Sequence, residues 1–236
     1  MSKVIFDIET VGEDFDAMDK KTQEVLTNWI KQDSSSEEEY QNALENVKDR
    51  LGFAPYTGQI VVIGVLDYEK NQGAVYYQAP GEKNKDFEEN GFKFQQLTEK
   101  EMLEKFWQGL KNYDECVSFN GRAFDAPFLM IRSAIHKIRP TVNLMSNRYL
   151  ESQKFGLKHI DLFDQLSYYG AARRKGNLHL WSRAFGIKSP KDNGISGREV
   201  GRLFQEKKYL DIARYNIGDL LATKELYQYW QQYLRF

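Results

Sequence analysis

The sequence predicts an α/β domain whose mixed sheet of about five strands is flanked by helices. Three observations lead to this prediction. Short apolar runs end at polar or glycine-containing turns, which is typical of strands. Segments with helix caps and helical spacing of apolar residues lie between several of these runs. The C-terminal part of the chain has mainly helical patterns, so helices are expected to cover the sheet.

The predicted strands and helices alternate along the chain. Strands are expected at residues 4–10, 59–69, 74–79, 116–119 and 160–163. The polar Asn71-Gln72-Gly73 segment suits a hairpin turn between the second and third strands. Helices are expected at residues 98–110, 124–137 and about 210–233. The first of them opens with Thr98 and Glu101, the spacing of a capping box.

Residues from about 13 to 56 differ in character from the flanking strands. They contain an acidic run, Ser34-Ser35-Ser36-Glu37-Glu38-Glu39, and apolar residues at helical spacing. A serine cap followed by glutamates in the first turn is typical of a helix start, so we expect a mostly helical, acidic insertion. An acidic interaction tail is the alternative interpretation. The chain contains no internal repeat and no clear linker, and we expect residues 1–236 to form one domain.

Composition narrows the functional classes. The chain has 33 Lys and Arg residues and 34 Asp and Glu residues, so its formal net charge is -1. The absence of a net positive charge counts against a protein that binds duplex nucleic acid tightly. This net charge is still compatible with an enzyme that binds a few nucleotides in a local groove. Cys116 is the only cysteine, which excludes an intrachain disulfide and suits a reducing compartment. The sequence carries no signal-peptide pattern and no apolar run long enough to span a bilayer, so we expect a cytoplasmic protein.

Two carboxylates, Asp7 and Glu9, lie two residues apart in the first predicted strand. Successive side chains of a strand point to opposite faces, so both are expected on one face, while Phe6 and Ile8 face a core. Like charges repel, and burial disfavours ionisation; a cation between the two acids removes both costs. A solvent-facing polar edge is the alternative interpretation.

Asp125 opens a predicted helix that follows a strand end and a glycine-containing turn. Sites in open α/β sheets are built at such strand ends. The helix macrodipole alone explains an acidic residue in a first turn. It does not explain Asn120, the turn and Phe124 together.

The third candidate pair, Tyr215 and Asp219, lies four residues apart in the last predicted helix. Residues at this spacing share one face of a helix. A chance pair on a solvated face is the alternative interpretation of this spacing when it is seen alone.

Taken in order, these motifs resemble those of the DEDD (DnaQ-like) 3′–5′ exonuclease superfamily, which has a ribonuclease H-like fold, in its tyrosine-containing (DEDDy) branch. Asp7-Ile8-Glu9 looks like the first exonuclease motif, residues 120–125 look like the second, and Tyr215 with Asp219 looks like the third. The chain is similar to stand-alone predicted exonucleases related to the proofreading domain of family B DNA polymerases. The likeness also includes residues 158–162 and 178–227 and leaves out the insertion.

The resemblance implies a two-metal-ion nuclease in which Asp7, Glu9, Asp125 and Asp219 hold Mg²⁺ or Mn²⁺. Hard carboxylate oxygens without a His/Cys cluster suit these ions and disfavour a structural zinc site. We expect Asp7 to bridge both ions, Glu9 and Asp219 to support one of them, and Asp125 to steady the other.

The resemblance also implies the remaining site residues and the substrate. Tyr215 is expected to orient the attacking water, and Thr10, Asn120 and Phe124 are expected to contact the terminal nucleotides. For Phe124 a role in the core is an equal alternative. The expected partner is the 3′ end of single-stranded nucleic acid, with DNA favoured over RNA, and a nucleoside 5′-monophosphate is the expected product.

Other interpretations stay open at the level of the sequence. The fold could serve as a catalytically silent binding module, although such a module has no reason to assemble four carboxylates. Hydrolysis of a small phosphodiester, such as a dinucleotide, is a third possibility. The basic run at residues 173–175 could contact phosphate, but a solvated helix end is the simpler interpretation. His159 precedes a strand without a recognisable partner, and Tyr215 occupies the place that a general-base histidine takes in the other DEDD branch.

Overall fold

The computed structural model of the chain describes residues 1–172, 176–188 and 197–236. The predicted basic run at residues 173–175 lies outside this range. Within it, seven strands form one mixed sheet: β1 (Lys3–Gly12), β2 (Gly58–Asp67), β3 (Gln72–Tyr77), β4 (Phe87–Glu89), β5 (Phe92–Gln96), β6 (Glu115–Ser118) and β7 (Lys158–Asp161).

Helices account for most of the other described residues. They are α1 (Lys20–Asp33), α2 (Glu37–Arg50), α3 (Glu99–Leu110), α4 (Asp125–Ile135), α5 (Leu162–Leu166), α6 (Leu178–Ala184), α7 (Val200–Gln205) and α8 (Tyr209–Tyr233). Thr98 and Glu101 form the predicted capping box at the start of α3. The predicted order of strands and helices is therefore confirmed, and so is the class of a mixed sheet flanked by helices.

The strands follow the order β4-β5-β3-β2-β1-β6-β7. β1 pairs with β2 in the antiparallel sense and with β6 in the parallel sense, so it is an interior strand of the sheet. The prediction of five strands is wrong because it omits the hairpin of β4 and β5. Asn90 and Gly91 make its turn with positive φ angles of 51° and 81°, and an Asn-Gly pair is a strong hairpin signal.

The two faces of the sheet carry separate cores. On one face, Ile5 and Val11 of β1 belong to a core that includes Ile212 and Leu220 of α8. On the other, Phe6 and Ile8 pack in a second core with α3 and α4, as the alternation of the strand predicts. Asp7 and Glu9 have the parity of Ile5, so they lie on the face that α8 covers.

The insertion is helical, as predicted. The side chain of Ser36 caps α2 by accepting a hydrogen bond from the backbone N–H of Glu39. After α2, a short 3₁₀ turn at Leu51–Phe53 packs on the end of β1. A Cβ added to Gly52 would lie 2.9 Å from the backbone nitrogen of Gly12, so the two chain segments are in close contact. The insertion therefore meets the sheet immediately after Glu9.

In the part of the chain that the structure describes, no helix has both the length and the apolar character needed to cross a membrane. That residues 1–236 form one domain stays a prediction.

Candidate active site

Three carboxylates from distant parts of the sequence converge on β1. Asp7, Glu9 and Asp219 each offer an oxygen, and these oxygens all lie within 4.8 Å of one another. Asp7 and Glu9 come from the α8 face of β1, and Asp219 comes from α8 itself. The close contact of this helix with β1 and β2 brings the third acid to the first two.

Asp125 is held beside this group by the backbone of β1. Its Oδ1 accepts a hydrogen bond of 3.0 Å from the N–H of Ile8, the residue between Asp7 and Glu9. The side chain is 4% exposed. This bond joins the first turn of α4 to β1, so Asp125 faces the sheet. An acid that only interacted with the helix macrodipole could face the solvent instead.

The acids disfavour one another's ionisation. Burial raises the pKa of Asp7 well above its ordinary value, and the charges of Asp125, Asp219 and Glu9 raise it further. Burial and the charge of Asp219 likewise raise the pKa of Glu9. Burial raises the pKa of Asp125 to about 7, against the hydrogen bond from Ile8. A divalent cation relieves this repulsion because it offsets the charge that the acids carry.

Tyr215 lies one helical turn before Asp219 on α8 and is buried. Burial raises its pKa far above the ordinary value, and the charges of Asp219, Glu9 and Asp7 raise it further. The phenol therefore stays protonated at neutral pH and can act as a hydrogen-bond donor but not as a general base. Its hydroxyl also hydrogen-bonds to Asp219.

Asn120 lies in the turn between β6 and α4. Its φ of 61° is in the left-handed region, which asparagine tolerates better than most residues. Asp161 at the end of β7 stabilises the turn by accepting hydrogen bonds from the backbone N–H groups of Asn120 and Arg122, at 2.8 Å and 2.9 Å. Asp161 is a residue whose part in the site the sequence motifs do not reveal.

Thr10 and Phe124 occupy the rim of the site. The hydroxyl of Thr10 donates to the carbonyl of Gly52 at 2.7 Å, so it joins the insertion to β1. Phe124 packs on Phe128 with ring centroids 5.5 Å apart and meets the edge of Phe53 at 6.3 Å. Phe53 is 53% exposed, and the sequence analysis overlooked this aromatic neighbour of Phe124.

Asn216 is a third residue that the sequence analysis overlooked, after Asp161 and Phe53. Its side-chain Nδ2 donates a hydrogen bond of 2.7 Å to Oδ2 of Asp7. An asparagine next to the tyrosine of the third motif has no distinctive spacing of its own. Its contact depends on how α8 packs on β2, which the sequence does not state.

Two histidines, His159 and His136, have structural contacts. His159 is buried, with Nε2 2.8 Å from the hydroxyl of Ser118 and Nδ1 3.0 Å from the carbonyl of Leu144. Burial lowers the pKa of His159 to about 4, so it is neutral at pH 7. His136 and Arg132 both contact Glu99. Neither histidine is in the carboxylate group.

The donor set fits a hard divalent cation. Three close carboxylates with a fourth beside them provide the oxygen ligands that Mg²⁺ and Mn²⁺ prefer. The mutual repulsion of the acids gives a physical reason for a cation to bind there.

A family model described as "Predicted 3'-5' exonuclease related to the exonuclease domain of PolB" matches residues 59–235. The chain belongs to this family. The matched range contains Asp125, Tyr215 and Asp219, whereas Asp7 and Glu9 precede it. Membership in this family of predicted exonucleases confirms the resemblance found in the sequence and indicates a nuclease.

Among solved structures, the chain is similar to the family B DNA polymerase from the hyperthermophilic archaeon Pyrobaculum calidifontis. The TM-score is 0.59 at 16% sequence identity, and the alignment covers 98% of this chain and 24% of the polymerase. The chain thus spans about a quarter of that protein's length. At this identity the likeness concerns the fold, and it confirms the ribonuclease H-like α/β class. No curated protein matches the chain.

Proposed function

We propose that this protein is a two-metal-ion 3′–5′ exonuclease that removes nucleoside 5′-monophosphates from the 3′ end of single-stranded nucleic acid. The convergence of Asp7, Glu9 and Asp219 within 4.8 Å, with Asp125 bound to the strand between the first two, carries the proposal. A family of predicted 3′–5′ exonucleases supports it.

In this proposal the four acids hold Mg²⁺ or Mn²⁺. Asp7 is central because the charges of Glu9, Asp219 and Asp125 all act on it. When bound, the two ions lower the pKa of the attacking water and stabilise the negative charge that develops on the phosphate. The carboxylates supply charge and position; with their oxygens committed to cations, none is needed as a proton donor.

Tyr215 serves as a protonated hydrogen-bond donor next to Asp219. Its hydroxyl orients the attacking water without removing the proton, because its raised pKa keeps it neutral. Attack on the terminal phosphodiester forms a new P–O bond and breaks the bond between phosphorus and the 3′ oxygen of the preceding nucleotide. The attacking water gives up one proton to solvent, and the leaving 3′ oxygen takes one up from solvent. The products are a nucleoside 5′-monophosphate and a strand that is shorter by one unit and ends in a 3′ hydroxyl.

The rim of the site suits unpaired bases. Phe124, which precedes Asp125 in the sequence, forms an aromatic pair with Phe53, and the bases of a single strand can stack on such rings. Asn120 and Thr10 complete the proposed contacts with the terminal nucleotides. Likeness to a DNA polymerase favours DNA over RNA, and a role in DNA repair or turnover follows from that preference.

The test is digestion of a 3′-labelled single strand with Mg²⁺ or Mn²⁺. Asp7→Asn should reduce digestion to background while the circular dichroism spectrum and the melting temperature show a folded protein. Asp33→Asn, a substitution of the same type at an exposed position of α1, is the matched control and should digest like the wild type. Unchanged digestion by Asp7→Asn refutes the assignment.

A substrate panel separates the remaining alternatives. It compares single-stranded and duplex DNA, the corresponding RNAs, and dinucleotides, each with and without Mn²⁺. Preference for longer single strands supports the proposal, whereas faster hydrolysis of dinucleotides favours a small phosphodiester as the substrate. Binding of Mn²⁺ and of oligonucleotides without hydrolysis of any of them favours a silent binding module.

A further inference from the structure

Asn216 occupies a buried position between α8 and the centre of the sheet. It lies between Tyr215 and Asp219 in the sequence, but its side chain points into the protein and is 0% exposed. Nδ2 donates to Oδ2 of Asp7 at 2.7 Å. The amide therefore acts directly on one carboxylate of β1.

The space for this amide exists because residue 64 is a glycine. Gly64 of β2 pairs with Asp7 across the β1–β2 ladder. A Cβ built on Gly64 would lie 1.9 Å from Oδ1 of Asn216 and 2.8 Å from Cδ1 of Leu220. A glycine inside a central strand weakens the strand, and one common reason for it is close approach of another group. Here the Asn216 amide takes the place of the missing side chain.

The amide can have only one useful orientation. Within the described part of the chain, Oδ1 of Asn216 is buried without a hydrogen-bond partner. Exchanging the two ends of the amide would turn Oδ1 towards the Asp7 carboxylate, and two acceptors would then face each other. The observed orientation leaves the carbonyl oxygen above Gly64 without a partner and directs the N–H group to Asp7.

A neutral donor suits a site that must attract cations. Lys or Arg in this position would also bind the carboxylates, but its charge would cancel the negative potential that draws in a metal ion. An amide positions Asp7 and leaves the charge of the site unchanged. Partners of this kind, which hold metal ligands without touching the metal, commonly change metal affinity when they are removed.

We propose that Asn216 is a positioning residue that holds Asp7 in the arrangement that binds divalent cations, and that Gly64 is required to admit it. The inference rests on the proposed function, since it concerns the same carboxylates. It adds two residues, Asn216 and Gly64, that affect the proposed reaction by positioning a metal ligand.

The test measures binding of Mn²⁺ by calorimetry in the absence of nucleic acid. Asn216→Leu removes the donor at similar volume, and Gly64→Ala displaces the amide but keeps it. Each should weaken Mn²⁺ binding by about tenfold or more, in line with other residues that position metal ligands. Gly109→Ala in α3 is the matched control, because a Cβ there meets no described atom within 4 Å, and it should bind Mn²⁺ like the wild type.

A double variant separates positioning from folding. Asn216→Ala removes the side chain that Gly64→Ala would strike, so the combined variant should melt at a higher temperature than Gly64→Ala alone. Its Mn²⁺ affinity should nevertheless remain low, because the donor is absent. If Asn216 had only a structural role, Asn216→Leu would lower the melting temperature and leave the Mn²⁺ affinity unchanged.

The outcomes distinguish this inference from the proposed function. Folded Asn216→Leu that binds Mn²⁺ as tightly as the wild type overturns the positioning role, even if the wild type digests DNA. Weakened Mn²⁺ binding in the variants of a protein that digests no substrate supports the positioning role and overturns the exonuclease proposal. If Gly64→Ala does not fold, Asn216→Leu and the double variant still decide the question.

Discussion

Replacing Asp125 with asparagine isolates the energetic cost of one buried acid in the site. Asparagine keeps Oδ1, which accepts the hydrogen bond from the N–H of Ile8, and removes the negative charge. In the absence of divalent cations, we therefore expect Asp125→Asn to be more stable than the wild type at pH 8. The same substitution should abolish exonuclease activity, because it removes a proposed metal ligand.

The magnitude follows from the pKa of Asp125. Burial raises it from 3.8 to about 7. Stability is unaffected below pH 3.8 and is lost as the pH rises from there through about 7, because the unfolded chain then releases a proton that the folded protein still holds. A shift of this size corresponds to at most about 4 kcal/mol at pH 8, since each pKa unit is about 1.36 kcal/mol. At pH 5 less than half of that cost is present.

The assay is thermal unfolding of the EDTA-treated proteins at pH 5 and pH 8. For a chain of this size, about 4 kcal/mol corresponds to a shift in melting temperature on the order of 10 °C. The variant should melt higher at pH 8, the difference should shrink at pH 5, and saturating Mn²⁺ should reverse the order because it stabilises the wild type. A variant that melts below the wild type by the same margin at both pH values would refute the reasoning.

Three further predictions concern the tyrosine, the aromatic rim and a buried ion pair. Tyr215→Phe should lower kcat by about a hundredfold with little change in KM, because it removes an orienting hydroxyl and leaves the packing; single-turnover digestion measures this. Phe53→Ala should raise KM for a single strand by about tenfold, because stacking is lost. Phe155→Ala, at a residue that is 92% exposed, is the control and should leave KM unchanged. Equal effects of the two substitutions would contradict the stacking role. Glu99→Ala should cost about 3 kcal/mol in urea unfolding, because the side chain of Arg132, which is 11% exposed, loses its carboxylate partner. Glu101→Ala, which removes only a helix cap, should cost about 1 kcal/mol.

Much of the architecture follows from local patterns. The alternation of residues 5–11 in β1 predicts that Phe6 and Ile8 lie on one face and Asp7 and Glu9 on the other, and the structure agrees. Helix caps at Ser36 and Thr98 are local hydrogen-bond devices, so their residues can be recognised without knowing the fold. The hairpin of β4 and β5 has a comparable local signal in its Asn90-Gly91 turn, so this hairpin was also predictable from the sequence.

Other parts of the site have no local signal. The role of Asp161 depends on parallel pairing of β6 and β7, which places its carboxylate under the turn of Asn120. Phe53 meets Phe124 because the insertion returns to the end of β1. In each case the contact joins segments whose relative position is set by packing, and no periodicity in either segment encodes it.

The sequence alone determined the kinds of residues available for chemistry and the face or turn on which each lies, because backbone geometry repeats every two residues in a strand and every 3.6 in a helix. Tertiary structure decided that Asp219 lies within 4.8 Å of Asp7 and Glu9, and that the amide of Asn216 fits above Gly64. These distances depend on how closely α8 approaches β1 and β2. That approach is limited by the volumes of side chains far apart in the sequence, and only the folded chain brings them into contact.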